Sequence, residues 1–85
     1  MAYRIAYAAQ ADTARRRLPA QRRGVLDKAM KATIGNNPYG HGSVEAKPGE
    51  RDYREATLAG ADAIVVHYVS TPDVLTVTAV KLITF

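Results

Sequence analysis

The stretch 51–69, RDYREATLAGADAIVVHYV, decides the fold. Residues 51–59 alternate: Tyr53, Glu55 and Thr57 fall on one side of an extended chain, Arg54, Ala56 and Leu58 on the other. Gly60-Ala61-Asp62 makes a tight connection. Residues 63–69, AIVVHYV, are apolar on both sides, which predicts a central strand covered on both faces.

Downstream, Ser70-Thr71-Pro72-Asp73 reads as a turn with proline in its favoured second place, and 74–83, VLTVTAVKLI, as the last strand. Upstream, Val44–Lys47 reads as a short strand ended by Pro48-Gly49. The loop Tyr39-Gly40-His41-Gly42-Ser43 is glycine-rich but opens no helix, so it is not a phosphate-binding loop. Residues 2–8 alternate again, with Tyr3, Ile5 and Tyr7 on one side, and predict an opening strand. Between lie two helices. Asp12 or Thr13 is expected to cap the first, which ends at Leu18, because a residue before proline avoids helical angles. Pro19 opens the second, whose apolar stripe is Val25, Leu26, Ala29, Met30, Thr33 and Ile34, with Arg23–Asp27 and Asp27–Lys31 as pairs on its wet face. Gly35-Asn36-Asn37-Pro38 stops it. The expected architecture is α+β: two N-terminal helices packed on one face of a mostly antiparallel four- to five-stranded sheet.

The 85 residues suffice for one core and so for a single domain, 1–85. An apolar content of 47% excludes a disordered chain of low hydrophobicity. With no cysteine, a disulfide framework, a thiolate zinc site and a cysteine nucleophile are excluded, which points to a reducing compartment. MAYRIAYAAQ has no signal-peptide pattern, and no apolar run approaches the roughly 20 residues of a membrane span. The chain is expected to be cytoplasmic, with no membrane partner. Neither histidine has a second ligand at metal spacing and no carboxylates cluster, so no metal and no small-molecule cofactor is expected. The net charge of +4 is uneven: +6 over residues 1–34 and −2 over 35–85. A local positive field favours a polyanionic partner; a solvated helix face gives the same pattern.

This order of elements resembles the RelE/ParE superfamily of toxins from type II toxin–antitoxin systems. The carrying features are the opening strand AYRIAY, the junction Ala14–Pro19 (A-x-x-x-L-P), the helix ending in Asn37-Pro38, Tyr53–Glu55 (YRE), and Val77–Leu82 (VTAVKL). The resemblance implies a twisted antiparallel sheet with an N-terminal helical pair. It implies metal-free cleavage of messenger RNA on the ribosome in one branch, action on gyrase without that chemistry in another, and neutralisation by a small cognate antitoxin in both. Cleaving members carry an arginine in a G-x-Y-R-V-x-Y strand, and Gly60–Val66 has none. They also end with a histidine–arginine pair and a tyrosine, where Val80–Phe85 offers a lysine and a phenylalanine. The catalytic set is incomplete by that comparison.

Metal-free RNA cleavage needs a base for the 2′-hydroxyl, a cation for the pentavalent phosphorus and an acid for the leaving oxygen. The candidates are Arg54 and Lys81 as cations, Glu55 or Glu45 as base, and His67, which titrates near neutrality. Each has a structural alternative: cross-strand pairing for Arg54, a charge guarding a chain end for Lys81, a surface salt bridge for the glutamates, a hydrogen-bonded core residue for His67. His41 lies in a loop and is either substrate-reaching or idle. Arg15, Arg16, Arg17, Arg22 and Arg23 are read as phosphate anchors, Lys47 and Arg51 as supporting cations, and Tyr53 and Tyr68 as stacking platforms for bases or as half-buried packing. The leading reading is a ribosome-dependent endoribonuclease toxin. The alternatives are a non-catalytic gyrase-binding toxin and an eroded toxin that keeps only antitoxin binding.

Overall fold

A computed structural model describes residues 3–40, 42–70 and 76–85. The elements run β1 (Arg4–Tyr7), α1 (Ala9–Arg16), α2 (Ala20–Ala32), β2 (Val44–Glu45), β3 (Tyr53–Leu58), a 3₁₀ turn (Ala59–Ala61), β4 (Ala63–Val69) and β5 (Thr76–Thr84). The strands form one sheet in the order β1-β5-β4-β3-β2. β1 runs parallel to β5, and every other neighbouring pair is antiparallel. The fold is the expected α+β architecture. His41 and the turn at Thr71–Asp73 lie outside the described residues.

The helices differ in detail from the sequence reading. α1 starts at Ala9, with Ala8 as its N-cap and no side-chain cap bond. The chain enters the helix straight from the sheet, because Ala8 N–H donates to Ala79 O at 2.8 Å. Asp12 therefore lies inside the first turn, where the helix dipole favours a carboxylate, and pairs with Arg16 one turn on at 3.0 Å. On α2, Leu26 and Met30 are buried, and Ile34 in the turn just past its end continues their four-residue spacing, but Val25 is 45% exposed. A row spaced by four residues is narrow, and Val25 falls beside it. Asp27 takes neither Arg23 nor Lys31 as its partner. It accepts two hydrogen bonds from Arg15, at 2.7 and 2.6 Å, which ties the two helices together. The Arg15 guanidinium holds the Asp27 carboxyl below its ordinary range.

Both helices cover the same face of the sheet. That inner face carries Ala56 and Leu58 of β3, Ala63, Val65 and Val69 of β4, and Val77, Ala79 and Leu82 of β5, all buried. The inward residues of β5 change parity between Ala79 and Leu82. Val66 pairs with Lys81 while the next residue, His67, pairs with Ala79, so Val80 is an extra residue in the strand. This β-bulge turns Lys81 outward and Leu82 into the core. β1 is shorter than β5, and Gln10 stands in where it stops: Leu82 N–H donates to the Gln10 side-chain oxygen at 2.9 Å. The 3₁₀ turn ends at Asp62, which takes a left-handed conformation with φ 51°. Aspartate tolerates that region better than most residues.

The other face of β4 corrects the sequence reading. AIVVHYV was expected to be covered on both sides, yet Ile64 and Val66 are half-buried and Tyr68 is 47% exposed. No described helix lies over them. The strand is apolar on both sides while one of its faces is open.

Candidate functional site

The register sorts the open face into rows across the strands. Thr57, Ile64 and Ile83 form one row, on β3, β4 and β5. Val44, Glu55, Val66 and Lys81 form the next, starting on β2. Tyr53, Tyr68, Thr78 and Ala6 form the third, ending on β1. Glu55 and Lys81 thus sit two strands apart in one row, about 10 Å between Cα atoms, with Val66 between them. Both are exposed. A carboxylate and an ammonium on the two sides of that gap leave room for a phosphodiester between them.

Tyr53 and Tyr68 are direct cross-strand partners, close enough for their rings to form one platform. The Lys47 ammonium lies 5.3 Å from the centre of the Tyr53 ring, a cation–π contact that adds positive charge to the platform. A hollow of about 340 Å³ opens beside it, lined by Gly49, Glu50, Arg51, Asp52, Tyr53 and Tyr68. The fold therefore brings Glu55, Lys81, Lys47, Tyr53 and Tyr68 to one surface, whereas the Arg51 guanidinium turns to the Tyr39 ring, 4.8 Å from its centre, beside Arg54.

Arg54 and His67 are elsewhere. They are cross-strand partners on the inner face, and both are buried. Arg54 donates from Nε to Ser43 Oγ at 2.6 Å, from Nη1 to Arg51 O at 2.9 Å and from Nη2 to Ser43 O at 3.0 Å. Its guanidinium also lies 5.2 Å from the centre of the Tyr39 ring. Its acceptors are neutral, so this is neither a free cation nor a partner for an acid. His67 Nε2–H donates to Pro38 O at 3.0 Å, and Nδ1 is buried without a partner among the described residues. Together the two side chains fasten the connection from α2 to β2: His67 holds Pro38, and Arg54 holds Tyr39 and Ser43. Tyr39 donates its hydroxyl to Asp52 and is pushed up to about 12 by burial and by that carboxylate.

Burial pushes His67 below its ordinary value, and the nearby Arg54 charge adds to the shift. The unfolded chain thus binds a proton at a pH where the folded chain does not. Stability is full above about pH 6.5 and falls as the pH drops below it, until the lowered folded value is reached. Urea titrations between pH 7.5 and 5 are expected to show this slope, and His67→Gln to flatten it. A slope unchanged in the variant would assign it to the carboxylates.

The arginine bursts are not at the open face. Arg15 is held by Asp27 and Arg16 by Asp12. Arg22 donates to Phe85 O at 3.1 Å. Arg17 and Arg23 make no ion pair among the described residues. All five belong to the helical layer and its margins, behind the sheet rather than on its open side. Sequence reasoning missed Arg4. Its register with Thr76, two residues before the outward Thr78, puts it on the open-face side of β1, where it is exposed. The alternation of residues 2–8 sets Arg4 opposite Tyr3, Ile5 and Tyr7, but only the parallel pairing of β1 with β5 brings it beside this face.

No protein-family model and no curated protein matches the chain. Among solved structures, an arginine-to-alanine double mutant of the Escherichia coli toxin RelE in the free state is 21% identical, over 99% of this chain and 84% of that one, with a TM-score of 0.68. The chain has the RelE fold. The archaeal RelE–RelB complex from Pyrococcus horikoshii is 19% identical over 96% of this chain and 93% of that one, with a TM-score of 0.66. The RelE fold here includes the N-terminal helical pair, the five-stranded mixed sheet and its open side. Among the described residues no helix is long and apolar enough to cross a membrane.

Proposed function

We propose that this chain is the toxin of a toxin–antitoxin pair, and that its open sheet face binds and cuts single-stranded messenger RNA on the ribosome. The observation that carries this reading is the row Glu55–Val66–Lys81 beside the Tyr53–Tyr68 platform, on the one sheet face that the helices leave bare. Bases stack on the tyrosines, as single-stranded RNA does on aromatic side chains. Lys47 and Arg4 take the flanking phosphates. Glu55 accepts the 2′-hydroxyl proton as O2′ attacks the adjacent phosphorus. The Lys81 ammonium neutralises the charge gathering on the phosphoryl oxygens and protonates the departing 5′-oxygen. The O2′–P bond forms and the P–O5′ bond breaks, leaving a 2′,3′-cyclic phosphate and a 5′-hydroxyl. Arg54 and His67 shape the site from behind by holding the α2–β2 connection. Arg17, Arg22 and Arg23 give the helical layer a separate, sequence-independent attraction for ribosomal RNA phosphates.

Induced expression in a host lacking the antitoxin, with primer extension on an abundant transcript, tests this. Growth arrest with discrete new 5′ ends is expected; intact transcripts in arrested cells would overturn the nuclease. Binding of a short RNA is expected to weaken with salt, with a log–log slope of about −2 to −3 for three or four neutralised phosphates. A flat salt response would remove the phosphate contacts.

One observation favours a second reading, a toxin that acts by binding gyrase or another target without cutting RNA. The only described arginine of β3, β4 and β5 points inward and is hydrogen-bonded to the chain itself. Arrest without cleavage, together with inhibited DNA supercoiling, would select it.

A further inference from the structure

The Tyr39 hydroxyl joins two parts of the chain that the sheet does not pair. Tyr39 lies in the connection from α2 to β2, next to Pro38, whose carbonyl accepts from His67. Its own N–H donates to Asn37 Oδ1 at 3.1 Å. Two guanidinium groups lie against its ring, that of Arg51 at 4.8 Å and that of Arg54 at 5.2 Å from the centre. The side chain is thus fixed at its base and along its ring, and its tip donates to the Asp52 carboxylate at 2.5 Å.

Asp52 ends the turn that carries Lys47 and leads into Tyr53. Residues 47–52 are all exposed, and none of them belongs to the core. Polar and backbone bonds therefore have to place this turn. Glu50 N–H donates to Lys47 O at 3.1 Å and Tyr53 N–H to Glu50 O at 3.2 Å, which gives the turn its shape. It is tied to β2 by Gly49 N–H on Glu45 Oε1 at 3.3 Å, to β3 by Arg54 Nη1 on Arg51 O at 2.9 Å, and to β4 by Val69 N–H on Asp52 O at 2.8 Å. Among the described residues, Tyr39 supplies the only side-chain hydrogen bond to the turn from outside β2 and β3.

We propose that Tyr39 is a positioning residue for the RNA platform: its hydroxyl holds the 47–52 turn so that Lys47 stays against the Tyr53 ring and the hollow beside Tyr53 and Tyr68 keeps its shape. Tyr39 itself touches no RNA. Arg51 serves the site in the same way, by steadying the Tyr39 ring rather than by meeting a phosphate. The inference rests on the open face binding RNA.

The test is Tyr39→Phe, which keeps the ring and its two cations and removes only the hydroxyl. Binding of a short fluorescent 2′-O-methyl RNA, which cannot be cut, is read by anisotropy. Its Kd should rise about fivefold, the worth of one hydrogen bond to a charged acceptor at an exposed position. On ribosome-bound messenger RNA, KM should rise with Kd while kcat stays within about twofold, a split that a loosened fold would not produce. The melting temperature should stay within about 2 °C, because no buried group loses a partner. Tyr39→Phe placed on Asp52→Ala should add nothing, since the acceptor is already gone; comparing the four proteins cancels the change of charge at residue 52. Amide exchange at Glu50 and Tyr53 reads the turn without RNA and should quicken roughly threefold or more in Tyr39→Phe. An unchanged Kd, a kcat that falls with binding, or unchanged amide exchange would each overturn the proposal. So would a loss that persists on Asp52→Ala, which would mean that the hydroxyl meets the RNA itself. A parent protein that binds no RNA, with exchange still quickened in the variant, would overturn the reading of the open face and leave the tether standing.

Discussion

Lys81→Ala is expected to lower RNA cleavage about a hundredfold, close to 2.7 kcal/mol of transition-state stabilisation, and to leave thermal stability within about 0.5 kcal/mol of the parent. Lys81 is exposed, and the bulge at Val80 is what turns it outward into the row with Glu55. Its side chain makes no hydrogen bond among the described residues, so its removal leaves no buried group without a partner. Glu55→Gln on the opposite side of the gap should lose cleavage to a similar extent and keep RNA binding, because it removes a base and not a cation. Single-turnover rates on ribosome-bound messenger RNA separate the two effects. Full activity in both variants would remove the row from the chemistry.

Arg54→Ala is expected to do the reverse, destabilising the fold by roughly 3 kcal/mol, which is a fall of about 12–24 °C in melting temperature for a domain of this size. The change removes three hydrogen bonds from a charged donor and leaves Ser43 Oγ and two carbonyl oxygens to find other partners. It also removes the cation beside the Tyr39 ring, so the connection between α2 and β2 loses its fastening at one end. Arg54→Lys keeps the charge and one bond and should fall between parent and alanine. Thermal melts at fixed pH measure this. An Arg54→Ala protein that melts like the parent yet has lost cleavage would return Arg54 to the chemistry as a direct participant.

The fold was largely legible because each element announced itself locally. Alternation gave β1 and β3, the every-fourth-residue row gave α2, and Asn37-Pro38 and Gly60-Ala61-Asp62 gave the breaks. The site was legible only in part. Tyr53, Glu55, Lys47 and Lys81 could be picked out as chemistry-bearing residues, but their convergence depends on register, and register depends on the bulge. The basic residues misled because charge says nothing about direction. Arg15 and Arg16 fall on helix positions facing an aspartate, and Arg54 falls on the buried phase of its own strand. The same phase was visible in the alternation of Arg54, Ala56 and Leu58, which placed Arg54 with two core residues. AIVVHYV misled for a related reason. Apolarity on two faces signals burial in a monomer, yet the same pattern serves a strand whose second face awaits a ligand or a partner.

The extra residue in β5 has a consequence for tolerance to length change. Shortening the chain by Val80 would straighten the strand into regular alternation, with Val77, Ala79 and Leu82 still inward and Lys81 still outward across from Val66. Loss of a single residue anywhere between Ala63 and Val69 would instead swap the two sides of the central strand and drive Tyr68 or Val66 into the place of His67 or Val65. Among naturally varying or engineered forms of this chain, one-residue gaps should therefore collect at Val80 and be absent from β4.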